Sequence, residues 1–151
     1  MIQWPVKFVP QSREDLCWAA STAMMVNYRD GSTKSDLDVA AEAGVAHEAG
    51  MTEIEFENVA GLFHFYPVYP QCADAIGWEG ALTNTGPVVT VVARGAIQHI
   101  IVVAGAAATP DGDGQIYVLD PFHGEGWMQI GEFQSQYDRA GERWSRVTYR
   151  V

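Results

Sequence analysis

The sequence predicts an α+β fold with helices in its first half and an antiparallel sheet in its second. Helix-forming segments with cap residues occupy positions up to about 85, and β-branched runs punctuated by Gly, Pro and Asp follow them. Strands and helices do not alternate as repeating βαβ units require. The 151 residues suit one domain, 1–151, with neither an internal repeat nor a low-complexity linker.

Residues 1–10, with Pro5 and Pro10, read as an extended lead-in. From Leu16 to about Tyr28 the chain turns helical: Ala19, Ala20, Ala23, Met24 and Met25 are good helix formers, and Asp30-Gly31 closes the segment. Cys17, Ala20 and Met24 share one face, and Glu14 and Asp15 sit at or just before the first turn, where negative charge suits the helix dipole. Ser35 caps a second helix that runs to Ala43 and stops at Gly44. Thr52 and Glu55 form a capping-box pair for a third helix, ending near Leu62. Phe65 to Tyr69 is a short extended piece ended by Pro70. A fourth helix, about Cys72 to Leu82, is expected to turn Ile76 and Leu82 inward and to stop near Thr85-Gly86-Pro87.

Val88–Ala93 and His99–Ala104 are β-branched runs joined by turn material at Arg94-Gly95-Ala96. Pro110-Asp111-Gly112-Asp113-Gly114 is a strong turn signal, followed by a strand over Gln115–Leu119. A short strand over Gly126–Ile130, a helical turn over Glu132–Tyr137 and a closing strand over Trp144–Val151 complete the chain.

Composition narrows the function. Hydrophobic residues make up 48% and charged residues 19%, a globular balance. Nineteen acids against nine bases give a net charge of −10, which argues against nucleic acid or an anionic membrane as the main partner. The longest apolar run, Ile100–Ala108, falls far short of the ~20 residues needed to span a bilayer. Two cysteines are too few for a disulfide scaffold or a cysteine-rich zinc site, so neither metal nor cofactor is expected. The segment from Asp111 has Ile116 and Phe122 where a calcium loop needs glycine and glutamate, so it reads as a hairpin turn. The N-terminus shows no basic stretch leading into a long apolar one, so no cleavable signal peptide is expected; the chain reads as cytoplasmic or exported by a signal-independent route.

Cys17 carries the most chemical information. At a helix start, backbone N–H groups and the dipole favour a thiolate, whereas a cysteine buried in mid-helix is inert. The plain alternative is that Cys17 is a small core residue. A nucleophilic cysteine needs a base, and the base needs an orienting partner. His99 stands at the head of one strand and Asp120 at the end of the next. If those strands pair across the turn near residue 110, position 99 faces position 120–121. His47 reads as a solvated loop residue, His64 as packing or capping, and His123 as the rival base. Gln11, six residues before Cys17, and the Cys17 N–H are candidate oxyanion donors, the plain alternative being that Gln11 is simply a polar residue after Pro10. Cys72 reads as structural. Trp18 and Trp127 are candidate substrate-groove residues.

The run Gln11-Ser12-Arg13-Glu14-Asp15-Leu16-Cys17-Trp18-Ala19-Ala20 resembles the active-site start of papain-like cysteine peptidases. Gln98-His99-Ile100-Ile101-Val102-Val103-Ala104-Gly105, Val118-Leu119-Asp120-Pro121, Gly86-Pro87-Val88-Val89 and Gly131-Glu132-Phe133 resemble the compact bacterial branch of that family. That branch includes bacteriocin-processing peptidases and effector peptidases of plant pathogens. The resemblance covers about residues 8–137 and implies a papain-like fold, with the nucleophile helix packed on a C-terminal antiparallel sheet. It also implies Cys17 as nucleophile, His99 as general base and acid, Asp120 as orienter and Gln11 as oxyanion donor. The expected partner is a polypeptide or peptide substrate and the expected state a monomer. Bacteriocin-processing members continue Cys-Gly-Pro where this chain reads Cys-Trp-Ala, which leaves the subfamily open. The same constellation also serves amidases, deamidases, transglutaminases and acyltransferases. A non-catalytic binding module on a peptidase scaffold is the other alternative.

Overall fold

The computed structural model describes residues 1–45, 51–68, 74–94, 97–137 and 148–151. His47, Cys72, Gly95, Ala96 and Trp144, and with them the expected start of the fourth helix and of the closing strand, lie outside the described residues.

After a two-residue strand β1 (Ile2–Gln3), the chain reaches helix α1 (Cys17–Asp30). Its first ten residues, Cys17 to Val26, are all buried, and the small side chains of Ala19, Ala20, Ser21, Thr22 and Ala23 let neighbouring elements close around it. Gly31 ends the helix in the left-handed conformation at φ 66°, its N–H returning to the Asn27 carbonyl. Helix α2 (Asp36–Ala43) begins at the expected Ser35 cap, which Asp38 completes into a capping box, and α3 (Glu53–Leu62) begins with the expected box of Thr52 and Glu55. Strand β2 (Tyr66–Val68) leads to α4 (Ala75–Thr85), capped by the Asp74 side chain on the Gly77 N–H. Here one expectation fails: Leu82 is buried, but Ile76 is 49% exposed. The buried stripe is Ala75, Trp78 and Leu82, spaced by three and four residues, and Ile76 lies about 100° around the helix from Ala75.

Strands β3 (Val88–Arg94), β4 (Ile97–Ala108), β5 (Gly114–Asp120) and β6 (Gly124–Gln129) form an antiparallel meander. Helix α5 (Ile130–Tyr137) and strand β7 (Thr148–Arg150) follow. The sheet runs β2-β7-β3-β4-β5-β6, with β1 added to β4 through Ile2 opposite Ala106. The last strand is thus inserted between β2 and β3, a pairing no local pattern announces.

Both faces of this sheet are covered, which explains why its strands read as continuous apolar runs rather than alternating ones. On one face Val89, Val91, Ile100, Val102, Ala104 and Leu119 pack with α1 and with Val39, Phe56 and Val59 of α2 and α3. On the other, Val88, Val92, Ile101, Val103, Ile116 and Val118 pack with Trp78 and Leu82 of α4 and Phe133 and Tyr137 of α5. Ala104 is an extra residue in β4: Val103 faces Val118, but Gly105 already faces Tyr117. The Ala104 carbonyl accepts the Trp4 N–H at 2.7 Å. A Cβ on Gly105 would stand 2.9 Å from both the Ile2 carbonyl oxygen and the Tyr117 Cβ, so glycine lets β1 dock there. No helix among the described residues is long and apolar enough to cross a membrane.

Candidate active site

Cys17 is the first residue of α1, and the residue before it, Leu16, offers no side chain to the first-turn N–H groups. The positive end of the helix dipole therefore lies at the sulfur. His99 is the third residue of β4, slightly inside the strand rather than at its head. With Val102 opposite Leu119, Asp120 stands one step nearer the same end of the sheet. The register runs a little beyond the hairpin centre expected from sequence, because the turn centres on residue 111, with Ala108 opposite Gly114; the extra residue Ala104 takes back one position of that offset. His99 therefore reaches Asp120 along a diagonal, within range for a long side chain. The two meet at 2.8 Å, His99 Nε2 on Asp120 Oδ1. Cys17 lies close enough to the imidazole to favour its charged form.

Asp120 is only 1% exposed and sits among donors. Oδ1 accepts the backbone N–H groups of Phe122 at 2.9 Å and His123 at 3.1 Å in addition to His99. Oδ2 accepts the Tyr137 hydroxyl at 2.8 Å. Burial pushes the Asp120 carboxyl up, but the hydrogen bond and charge of His99, the Tyr137 hydroxyl and the Phe122 N–H outweigh it and hold the group well below the usual carboxylate range. Burial likewise pushes the His99 imidazole down, and the bonds and negative charges of Asp120 and Cys17 outweigh that, raising it to about 9. The imidazole is therefore a cation at neutral pH, held between a carboxylate and a sulfur. Cys17 and His99 keep 8% and 9% of their surface exposed, so these two residues touch solvent where Asp120, at 1%, does not.

Gln11 lies in the segment that leads into α1. Its backbone N–H donates to the Pro121 carbonyl at 3.0 Å, which fastens it beside Asp120. Its side-chain Nε2 donates one N–H to the Arg13 carbonyl at 2.8 Å and keeps a second. That bond also sets the amide's orientation, since a flipped amide would face its oxygen to another carbonyl oxygen. Oε1 is buried without a hydrogen-bond partner.

The two tryptophans sit elsewhere. Trp18 has no exposed surface and belongs to the core cluster beneath α1, so its place is in packing rather than on a groove wall. Trp127 is half-buried on β6, opposite Tyr117 with ring centroids 5.3 Å apart, and its ring covers Gly105. It lies three register steps along the strand from the pair Asp120–Gly124, about 10 Å away. His123, the rival base, gives its backbone N–H to Asp120, and its ring is exposed with an edge on Phe122. His64 is exposed at φ 59° just past the end of α3, a terminating position.

Two site residues escaped the sequence reading. Tyr137 was placed in a helical turn with no role, although Ile130, Phe133 and Tyr137 recur at helical spacing and a tyrosine on such a face needs a partner for its hydroxyl. Asp36, just 3% exposed, bonds the loop ahead of α1. Nothing in its own neighbourhood signals that.

A helix-borne cysteine packed against an antiparallel sheet that carries histidine and aspartate defines the papain-like class of cysteine peptidases. The sequence profile described as papain-like cysteine protease AvrRpt2 matches residues 2–138, and this chain belongs to that family. No curated protein sequence matches it. Among solved structures, the peptidase domain of Streptococcus ComA, a bifunctional ABC transporter involved in quorum sensing, is 22% identical with a TM-score of 0.69, over 96% of this chain and 98% of that one. A double-glycine-motif protease from an AMS/PCAT transporter, solved with its leader peptide, is 18% identical with a TM-score of 0.67, over 98% of this chain and 93% of that one. A C39-like peptidase from Bacillus anthracis is 16% identical with a TM-score of 0.67, over 99% and 96%. These likenesses establish the α+β fold, and the family establishes a cysteine peptidase, a thiol hydrolase.

Proposed function

We propose that residues 1–151 form one peptidase domain that cleaves peptide bonds through Cys17, His99 and Asp120, with Gln11 as oxyanion donor. The observation that carries the reading is the buried His99–Asp120 hydrogen bond at 2.8 Å, with Cys17 at the first position of α1 acting on the same imidazole. The family supports a peptide as the substrate class, and the transporter protease solved with its leader peptide supports it further.

In this mechanism the resting pair is a Cys17 thiolate beside a His99 imidazolium. The sulfur adds to the scissile carbonyl carbon, and the carbonyl π pair moves onto oxygen. The Cys17 N–H and the second Nε2 N–H of Gln11 receive that oxyanion. As the tetrahedral adduct collapses, the C–N bond breaks and His99 gives its proton to the departing amine. The neutral imidazole then takes a proton from water as hydroxide adds to the thioester. Collapse of the second adduct returns the thiolate and releases the acid. Asp120 fixes the ring orientation and favours its charged form, and itself takes no proton.

The test is Cys17→Ala, profiled against a proteome-derived peptide library by mass spectrometry. The wild type is expected to give discrete cleavage sites and the variant none, with circular dichroism unchanged. Cleavage that survives the substitution overturns the assignment.

A further inference from the structure

The segment that carries Gln11, residues 4–16, is thirteen residues of chain without helix or strand, and a side chain on such a segment is only as well placed as the contacts that hold it. On one side the Gln11 N–H is bonded to Pro121. On the other, the very next residue, Ser12, is gripped by α2. Asp36 Oδ2 accepts both the Ser12 N–H, at 2.6 Å, and the Ser12 hydroxyl, at 2.7 Å. Asp36 Oδ1 accepts the Leu37 N–H at 2.9 Å, so the carboxylate is itself locked in orientation at the head of α2. A carboxylate buried to 3% that spends three of its acceptor sites in this way is not a solvated helix-start acid like Asp38, which is exposed and only closes the capping box of its own helix. One turn further, the Arg13 carbonyl accepts both the Gln11 side-chain N–H and the Leu16 N–H at 3.2 Å, which ties the same segment to the start of α1.

We infer that Asp36 is a positioning residue: by clamping Ser12 it holds the Gln11 amide at the height where a tetrahedral oxyanion forms. The inference rests on the reading of Gln11 as an oxyanion donor. Asp36 touches neither the nucleophile nor its base by any bond described here, so its loss acts on the oxyanion site and leaves the thiolate–imidazolium pair as it is. A misplacement of about 1 Å in a positioned group can cost roughly 100-fold in rate, so a clamp of this kind matters even when it contributes little to folding.

Two probes separate these effects without a known substrate. Iodoacetamide alkylates a thiolate and forms no oxyanion. The aldehyde acetyl-glycyl-glycinal adds the Cys17 sulfur to its carbonyl carbon, moves the π pair onto oxygen and has no leaving group, so its adduct needs the oxyanion donors. Its affinity is read as protection of Cys17 from iodoacetamide, followed by peptide mapping. Removal of one oxyanion donor typically costs roughly 100- to 1,000-fold in turnover, and Gln11→Ala is expected to weaken aldehyde binding by at least about 10-fold. Asp36→Asn is expected to weaken it by roughly 3- to 30-fold with the alkylation rate of Cys17 unchanged, and to add nothing in a Gln11→Ala background. Ser12→Ala, which keeps the backbone bond and loses the hydroxyl one, is expected to give a smaller weakening in the same direction, and it decides the matter if Asp36→Asn does not fold. Ser12→Thr keeps the hydroxyl and is expected to restore wild-type affinity. If Gln11→Ala weakens binding while Asp36→Asn or Ser12→Ala leaves it unchanged, or if the effects are additive with Gln11→Ala, the role of Asp36 is overturned and that of Gln11 stands. If Gln11→Ala itself has no effect, both fall. An equal loss of alkylation and aldehyde binding in Asp36→Asn shows a merely structural residue and also overturns the inference.

Discussion

Asp120→Asn keeps the shape of the side chain and removes its charge, and the His99 imidazole reports the change. Burial alone depresses that imidazole; the hydrogen bonds from Asp120 and Cys17 and their negative charges lift it from the ordinary 6.5 to about 9. That difference corresponds to roughly 3 kcal/mol favouring the charged ring. An opposite charge in contact accounts for about one to three pH units of such a rise. The Asp120→Asn protein is therefore expected to titrate roughly one to three pH units lower, with the burial penalty then less fully opposed. The measurement is a pH titration of imidazole resonances in protein labelled with carbon-13 at histidine. The chain has four histidines, and the His99 signal is the one lost in His99→Gln. A His99 midpoint that stays near 9 after Asp120→Asn refutes the electrostatic account, as does a wild-type midpoint at 6.5. A midpoint that falls while Cys17 alkylation becomes slower near neutral pH ties the same carboxylate to the reactivity of the sulfur.

Tyr137→Phe removes the hydroxyl that bonds Asp120 Oδ2 and almost no volume. Loss of a bond to a charged, buried group is expected to cost roughly 1.5–3 kcal/mol, seen as a drop of about 2–4 °C in melting temperature per kcal/mol; an unchanged melting temperature shows the bond to be energetically idle. The His99 imidazole is raised on folding, so its contribution to stability is complete below about 6.5 and is lost as pH rises through about 9. Urea unfolding at about pH 6 and about pH 10 is expected to show wild type losing up to roughly 3 kcal/mol more than His99→Gln over that interval, and equal losses refute it. Asp120 gives the opposite sign, present above the ordinary carboxylate value of 3.8 and lost as pH falls toward its depressed one. The two shifts describe a single interaction seen from its two partners, so they are not added.

What the sequence disclosed follows from the range over which each interaction acts. The starts of α2 and α3 were legible because capping acts within four residues: Ser35 by itself marks one, and the Thr52–Glu55 pair marks the other. The β4–β5 hairpin was legible because Asp111–Gly114 turns the chain by itself, and that turn brings His99 toward Asp120. The small error in register came from the turn, which centres on residue 111 with Ala108 opposite Gly114; the extra residue Ala104 reduces that error, and no local pattern announces it. Ile76 was misplaced because a helix with buried Ala75, Trp78 and Leu82 offers several apolar residues and only the packing selects the stripe. The position of β7 between β2 and β3 depends on contacts spanning most of the chain, and the bond from Asp36 to Ser12 crosses 24 residues. Neither leaves a local trace.

The hydrogen bonding of Asp120 bears on why the proposed mechanism puts the mobile proton on His99. A carboxylate with two oxygens has about four acceptor positions, and this one meets four donors: the His99 ring, the Phe122 and His123 N–H groups and the Tyr137 hydroxyl. Three of those donors meet Oδ1 and one meets Oδ2, and a proton on the carboxyl would weaken the bonds its charge draws from them in a site with 1% exposure. Each of those donors comes from rigid structure: β4, the turn after β5, and α5. Their bonds and the His99 charge together outweigh burial, so the carboxyl stays charged well below its ordinary range while the imidazole stays charged above its own. In the proposed mechanism the proton that is released and recovered therefore belongs to His99. The bonds that hold Asp120 ionised are the same bonds that favour the charged imidazole this mechanism requires.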